Sequence, residues 1–341
     1  MKKHGIGIGI VGMGFMGLTH FTAAQSLRGG QVAAFVTADP RKKRGDFRGI
    51  RGNFGEGGRK VDLGDIRVYP TLDGLVKDER VDLVDICLPS YLHASATRRA
   101  LRAGKHVLVE KPVALTVAQA TGMISTAQQS GQMLMVGQVL KYFPEFAWLA
   151  QTIRAARWGK LLALHLRRII AKPDWGDTWF ADPAKSGGMV VDLHIHDTDF
   201  IVHLFGKPRA VTSQGVTRNR SVDALKTTYH YRKSGPLLTA EAGWINGASL
   251  PFEHGFDAFF ERASAHFNSS HAPQPVLHQR RKSGPVKLPV GDGFAVQLEE
   301  AVRGVRRGDV PAGLSAYSAT DALRVCKAEE KSARSGKTVP I

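Results

Sequence analysis

Short apolar runs alternate with helical periodicity through the first 137 residues. That rhythm predicts a parallel sheet with helices in its crossovers. Ile6–Val11 reads as a strand, Met16–Ser26 as a helix and Val32–Thr37 as a second strand. Leu83–Leu88, His106–Val109 and Met133–Val136 repeat the strand pattern. His93–Ala103 and the stretch from a capping Thr116 to Gln129 repeat the helical one, and Gly104 and Gly131 stop them. Between Gly45 and Gly64 the helical pattern fails. Seven glycines and the basic residues Arg48, Arg51, Arg59 and Lys60 make this a long loop.

After Pro144 the pattern changes. Phe146–Ala156 is helical, Leu161–Ile170 is a long strand, and a helix runs from Gly188 to Phe205. Strand signals then follow without helices between them, at Ala210–Thr217, Lys226–Tyr231, Leu237–Trp244, Phe256–Glu261 and Pro285–Leu288. Such a run predicts a large open, mostly antiparallel sheet in an α+β domain. Ala316–Ser335 reads as a closing helix. The predicted fold is therefore α/β: a doubly wound parallel sheet over 1–138, an α+β domain over 139–315, and a C-terminal helix and tail over 316–341.

Composition narrows the class. With 341 residues, 43% of them hydrophobic, the chain can bury two cores. The net charge of +17 admits a nucleic-acid surface, an anionic ligand or a solvated basic exterior. No repeated nucleic-acid-binding motif interleaves aromatics with the basic residues, so nucleic acid is not expected as a partner. Cys87 and Cys326 match no metal or redox spacing, and two free thiols fit a cytoplasmic chain. The basic, apolar start lacks a small-residue cleavage site, and its Gly–Ile alternation suits a buried strand better than a signal peptide. No apolar run is long enough to span a bilayer, so no membrane association is expected.

Chemistry concentrates at three places. Gly12-Met-Gly14-Phe15-Met16-Gly17 lies between a strand and a helix. There the first glycine permits a tight turn, the second a close approach to a diphosphate, and the third close helix–strand packing. This predicts dinucleotide binding. An acidic residue usually ends the second strand and binds the ribose. Here Thr37 stands at that position, followed by Asp39 and the basic run Arg41-Lys42-Lys43-Arg44. NAD and NADP both remain open, with a lean toward NADP. Pro89–His93 and Glu110-Lys111-Pro112 also end strands, where ligands of such sheets bind. The third place is the helix after Gly187-Gly188, where Asp192, His196, Asp199 and His203 fall on one face. Asp192 and His196 form a carboxylate–imidazole pair suited to acid–base work.

Together, Gly12-x-Gly14-x-x-Gly17, Glu110-Lys111-Pro112 and Gly187-Gly188-x-x-x-Asp192-x-x-x-His196-x-x-Asp199 resemble the Gfo/Idh/MocA oxidoreductase family, the relatives of glucose–fructose oxidoreductase and inositol dehydrogenase. The resemblance spans nearly the whole chain. It implies an N-terminal Rossmann domain and a C-terminal domain whose sheet makes a homodimer or homotetramer. It also implies a cis Lys111–Pro112 bond and a catalytic set of Lys111, Asp192 and His196. The cofactor residues expected are Gly12, Gly14, Phe15, Met16, Gly17, Thr37, Arg41, Lys42, Pro89, His93, Glu110 and Lys111, with no metal. Ser90 replaces a common Asn and Lys141 a frequent Arg.

The expected reaction is hydride transfer between a nicotinamide and a secondary alcohol or ketone of a sugar or cyclitol, at a cleft between the domains. His196 is the base, Asp192 its partner, and Lys111 steadies the developing alkoxide. Arg167, Arg168, Lys172, Asp174, Trp175 and Trp179 are candidate pocket residues. Three alternatives stay open: a glycosidase using transient oxidation, a dinucleotide-binding sensor, and a metal hydrolase built on His194-Ile-His196.

Overall fold

The structure is a computed structural model that describes residues 5–52, 57–172, 178–218, 221–232, 235–247 and 251–341. The chain divides into two compact units, Met1–Val139 with Asp292–Thr320, and Leu140–Gly291 with Asp321–Ile341.

The first unit opens with β1 (Ile6–Val11), α1 (Phe15–Ala23), β2 (Gly30–Val36), β3 (Arg67–Tyr69) and α2 (Leu72–Leu75). It continues with β4 (Leu83–Ile86), α3 (His93–Arg102), β5 (His106–Glu110), α4 (Val117–Ser130) and β6 (Leu134–Gly137). The six strands pair in parallel in the order β3-β2-β1-β4-β5-β6. The order reverses between β1 and β4, so the loops at their carboxyl ends flank the switch point. Ile8, Ile10, Leu83, Ile86 and Val107–Val109 are buried on both faces, as a doubly covered sheet requires. α4 begins at a capping box, with Thr116 accepting from the Gln119 N–H while Gln119 reaches back.

The second unit runs α5 (Pro144–Arg154), β7 (Leu161–Ala171), α6 (Pro183–Ser186), a π-helical turn over Val190–His194 and α7 (Ile195–Phe205). Strands β8 (Ala210–Arg218), β9 (Ser221–His230), β10 (Leu237–Asn246), β11 (Glu253–Phe260), β12 (Ala263–Asn268), β13 (Val276–Gln279) and β14 (Lys282–Pro285) follow. They join β7 and β15 (Val339–Pro340) in a nine-stranded sheet ordered β14-β13-β12-β11-β7-β10-β9-β8-β15. Only β7 and β10 pair in parallel; the other pairs are antiparallel. Leu164, Leu166, Leu238, Ala240 and Phe256 fill its inner face.

The chain then returns to the first unit with α8 (Gly293–Arg307), which packs on α1 and β1, and enters α9 (Ala316–Ser335). Residues 292–320 therefore fold with the first unit, whereas the sequence pattern grouped 292–315 with the second. Glycines at 293 and 304 disguise α8, although its buried Phe294, Leu298, Ala301 and Val302 keep helical spacing. The strand pattern at Pro285–Leu288 is not a strand. β14 ends at Pro285, where its pairing with Val276 stops. β3, α2, β12 and β13 are too short or too polar for periodicity alone to show them. Residues 45–52 and 57–64 form no helix. Phe47 anchors this loop among Phe21 and Phe35.

Candidate functional site

In the first unit, the glycine turn has the geometry a diphosphate needs. Gly12 has φ +101°, and a Cβ there would sit 2.7 Å from the Cys87 carbonyl oxygen. A Cβ on Gly17 would fall 2.0 Å from the Gly12 oxygen, so the helix approaches the turn as closely as glycine allows. Gly14 faces open space and caps α1 without a side chain. The first N–H groups of α1 thus lack a capping side chain, and no acidic residue occupies the first turn. These features fit a bound dinucleotide phosphate. Phe15 and Met16 open α1, and the Phe15 ring lies against Gly52 of the glycine-rich loop.

The loop after β2 bears on cofactor choice. Thr37 directly follows the strand, is buried, and accepts the Asp39 N–H through its hydroxyl. Asp39 accepts the Arg41 N–H at 2.8 Å and its guanidinium at 3.4 Å. The Arg41 N–H, then the guanidinium, holds the Asp39 carboxyl below its ordinary range. Arg41 is exposed and Lys42 half-buried.

Glu110 ends β5 and the Lys111–Pro112 peptide is cis. From Val107 to Ala114 every residue except Lys111 is buried. The Glu110 carboxylate accepts the Lys111 N–H at 3.1 Å. Pro89 opens the short turn into α3. His93 does not face solvent. It is buried, with Nδ1 2.7 Å from the Pro112 oxygen and Nε2 2.7 Å from the Leu88 oxygen. Burial lowers its pKa against the pull of those two oxygens.

In the second unit, a π-turn interrupts the helix after Gly188. Four residues make about one turn in either geometry, so Asp192 and His196 stay on one face. From Gly188 to Val202, these two are the only residues not fully buried. The other polar side chains of the run are anchored inside the unit. Arg168 of β7 grips Asp197 with two hydrogen bonds, at 2.8 and 3.1 Å. Lys141 lies 2.7 Å from Asp199, whose pKa burial pushes up despite that ammonium. His194 meets Glu329 of α9 at 3.2 Å, and Thr198 and Tyr229 complete that cluster. Burial pulls the His194 pKa down, but Glu329 outweighs it and the net shift is upward.

The expected four-residue face is therefore divided: Asp199 is buried on Lys141, and His203 is half-buried beside Arg154. His194 and His196 diverge because the segment is helical, so the His-x-His ligand arrangement does not form. Arg167 and Arg168 alternate across β7. Arg168 is core, and Arg167 pairs with Glu241 and Glu253. Lys172 is exposed and Trp179 half-buried, while Asp174 and Trp175 lie outside the described residues.

Sequence reasoning missed Lys141, Arg168 and Glu329 as anchors of this helix. It also missed a buried cluster of His20, Asp85, Cys87 and Glu110 in the first unit. The available signal was Asp85, a carboxylate inside an otherwise apolar strand.

Comparison with known proteins follows the same division. Residues 6–138 match the family model described as "Oxidoreductase family, NAD-binding Rossmann fold", and residues 146–265 match "GFO/IDH/MocA C-terminal domain". Curated relatives at 30–33% identity match over 40–48% of their own length. Longer matches include the scyllo-inositol 2-dehydrogenase (NADP(+)) of Bacillus subtilis, 26% identical over 76% of this chain and 69% of that protein. Inositol 2-dehydrogenase 2 of Saccharopolyspora erythraea is also 26% identical, over 98% and 95%. Among solved structures, an aldose–aldose oxidoreductase from Caulobacter crescentus, complexed with glycerol, superposes with a TM-score of 0.83. It covers 99% of this chain and 100% of that one at 21% identity.

Proposed function

Because this chain belongs to the Gfo/Idh/MocA oxidoreductase family, we propose that it is an NADP(H)-dependent dehydrogenase or reductase of a cyclitol or sugar secondary alcohol. The observation that carries this reading is partial exposure. Asp192 and His196 are the two open positions in a buried polar helix, and Lys111 is the one open position in a buried strand end. Two long-matching relatives bear inositol dehydrogenase names, and one of those names specifies NADP(+).

When bound, the nicotinamide supplies a two-electron acceptor or donor at the carbinol carbon. The protein supplies the rest. His196 takes the hydroxyl proton in oxidation and returns it in reduction. Asp192 orients the imidazole or the same hydroxyl. Lys111 donates to the substrate oxygen and favours the alkoxide. Gly12, Gly14, Gly17 and the first residues of α1 hold the diphosphate, with Pro89 and Glu110 lining the strand ends. The position directly after β2 is Thr37 and not a carboxylate, and Asp39, two residues on, is turned toward Arg41. The surrounding Arg41 and Lys42 suit a 2′-phosphate. The second unit's sheet supports assembly as a homodimer or homotetramer, since its outer face exposes Leu237 and Phe259.

The test is a panel of cyclitols, anhydrosugars and aldoses with NADP and NAD, read by absorbance of the reduced cofactor. Turnover on one class with NADP preferred supports the reading. Dinucleotide binding without turnover across the panel replaces it with a sensor. Release of an aglycone without net reduction replaces it with a glycosidase.

A further inference from the structure

We propose that His20 is a positioning residue for Lys111, acting through the Glu110 carboxylate. The inference rests on the lysine role proposed above.

His20 sits on α1, three residues after Gly17, and is completely buried. Its Nδ1 is 2.8 Å from Asp85 Oδ2 and its Nε2 is 3.1 Å from Glu110 Oε1. Nδ1 is hydrogen-bonded to Asp85, whereas Nε2 and Glu110 Oε1 meet as a buried ion pair without hydrogen-bond alignment, a pairing that the imidazolium satisfies. Burial alone lowers the His20 pKa, yet Asp85 and Cys87 outweigh it and the net value lies well above the ordinary one. The Phe294 ring of α8 packs 5.8 Å from the imidazole.

The other oxygen of Glu110 accepts the Lys111 N–H. A path of a hydrogen bond, an ion pair and a hydrogen bond therefore runs from Asp85 on β4, through His20 on α1 and Glu110 on β5, to the backbone of Lys111. The next residue is held independently, because His93 of α3 contacts the Pro112 oxygen. Two buried histidines on two different helices bracket one half-buried lysine. A buried charge between two carboxylates costs stability unless every partner is placed. Such a cluster behind a strand end holds the lysine in one geometry.

Cys87 Sγ lies 3.5 Å from His20 Nδ1 and 3.7 Å from Asp85 Oδ1, so His20, Asp85 and Cys87 also have the donor set of a metal site. Burial pushes the Cys87 thiol up to about 12, which favours a proton on sulfur. The 2.8 Å His20–Asp85 contact is that of a charge-assisted hydrogen bond.

The experiment is competitive acetic anhydride labelling of all lysines, read by peptide mass spectrometry, on wild type, His20→Asn and Glu110→Gln. The expected result is that Lys111 labels severalfold faster in both variants, while exposed Lys160, Lys185 and Lys282 are unchanged. If His20→Asn unfolds, all lysines rise together, and the isosteric Glu110→Gln then decides. An unchanged Lys111 rate in a folded variant overturns the inference. So does a stoichiometric metal in the purified protein that His20→Asn removes. Labelling needs no substrate, so the two readings fail separately. Full turnover by Lys111→Ala would end the lysine's catalytic role and leave the positioning result intact.

Discussion

Lys111 and the Asp192–His196 pair are half-buried in the same way and held in opposite ways. Each stands open in a run that is otherwise buried. Lys111 sits at a strand end, and its neighbours are fixed through one carboxylate and one carbonyl. The pair in the second unit sits on a helix pinned from other elements of that unit. Arg168, Lys141 and Glu329 each take a different side chain of the same segment. A strand end is positioned by its sheet, and here the His20–Glu110 and His93–Pro112 contacts add to that. A helix bearing four buried polar side chains needs a partner for each one.

The largest test of this contrast is His196→Ala. Turnover on the substrate found by the panel should fall by roughly 10²–10⁴-fold, as for loss of a general base, with dinucleotide affinity kept. Unchanged turnover would remove the pair from the chemistry. Next, Arg168→Met should strand a buried Asp197 charge and cost about 3–5 kcal/mol, read by urea unfolding. A loss below about 1 kcal/mol would mean that the helix is held by packing rather than by its ion pairs.

The glycine turn separates fold from function within the first unit. Gly17→Ala drives a Cβ into the Gly12 oxygen and should lower the melting temperature sharply. Gly14→Ala meets nothing and should leave stability intact while weakening NADPH binding. Equal melting temperatures for the two variants would contradict that division.

Acid should act on the second unit. Burial, then Arg168, lowers the His254 pKa to about 3. The unfolded chain binds the proton first, so stability falls as pH drops from the ordinary histidine value toward 3. The expected loss is on the order of 2–3 kcal/mol by pH 4, and His254→Phe should flatten this limb of a melting-temperature profile. The smallest effect is on specificity. Arg41→Ser with Lys42→Ser should reduce the NADP over NAD preference by about tenfold, measured as kcat/KM, equivalent to one lost phosphate contact.

How much was legible follows from the same contrast. Alternation and glycines announced the β1 turn, the switch-point loops and the Glu110-Lys111-Pro112 strand end, because those signals are local. The helix of Asp192 and His196 was also legible. Its anchors were not, since Arg168 lies 29 residues before Asp197 and Glu329 lies 135 after His194. No periodicity links residues that far apart. α8 escaped for another reason: its glycines, one of them packed against Pro311, read as breaks.

That late helix has a consequence for how the protein is made. The first unit is not one stretch of chain, because Asp292–Thr320 belongs to it. α8 lies against α1 and β1, and its Phe294 meets His20. A ribosome that has translated the whole parallel sheet has still not made the helix that covers the side of α1 carrying His20. The unit that carries the glycine turn is completed only after the strands β7–β14 of the other unit have been made.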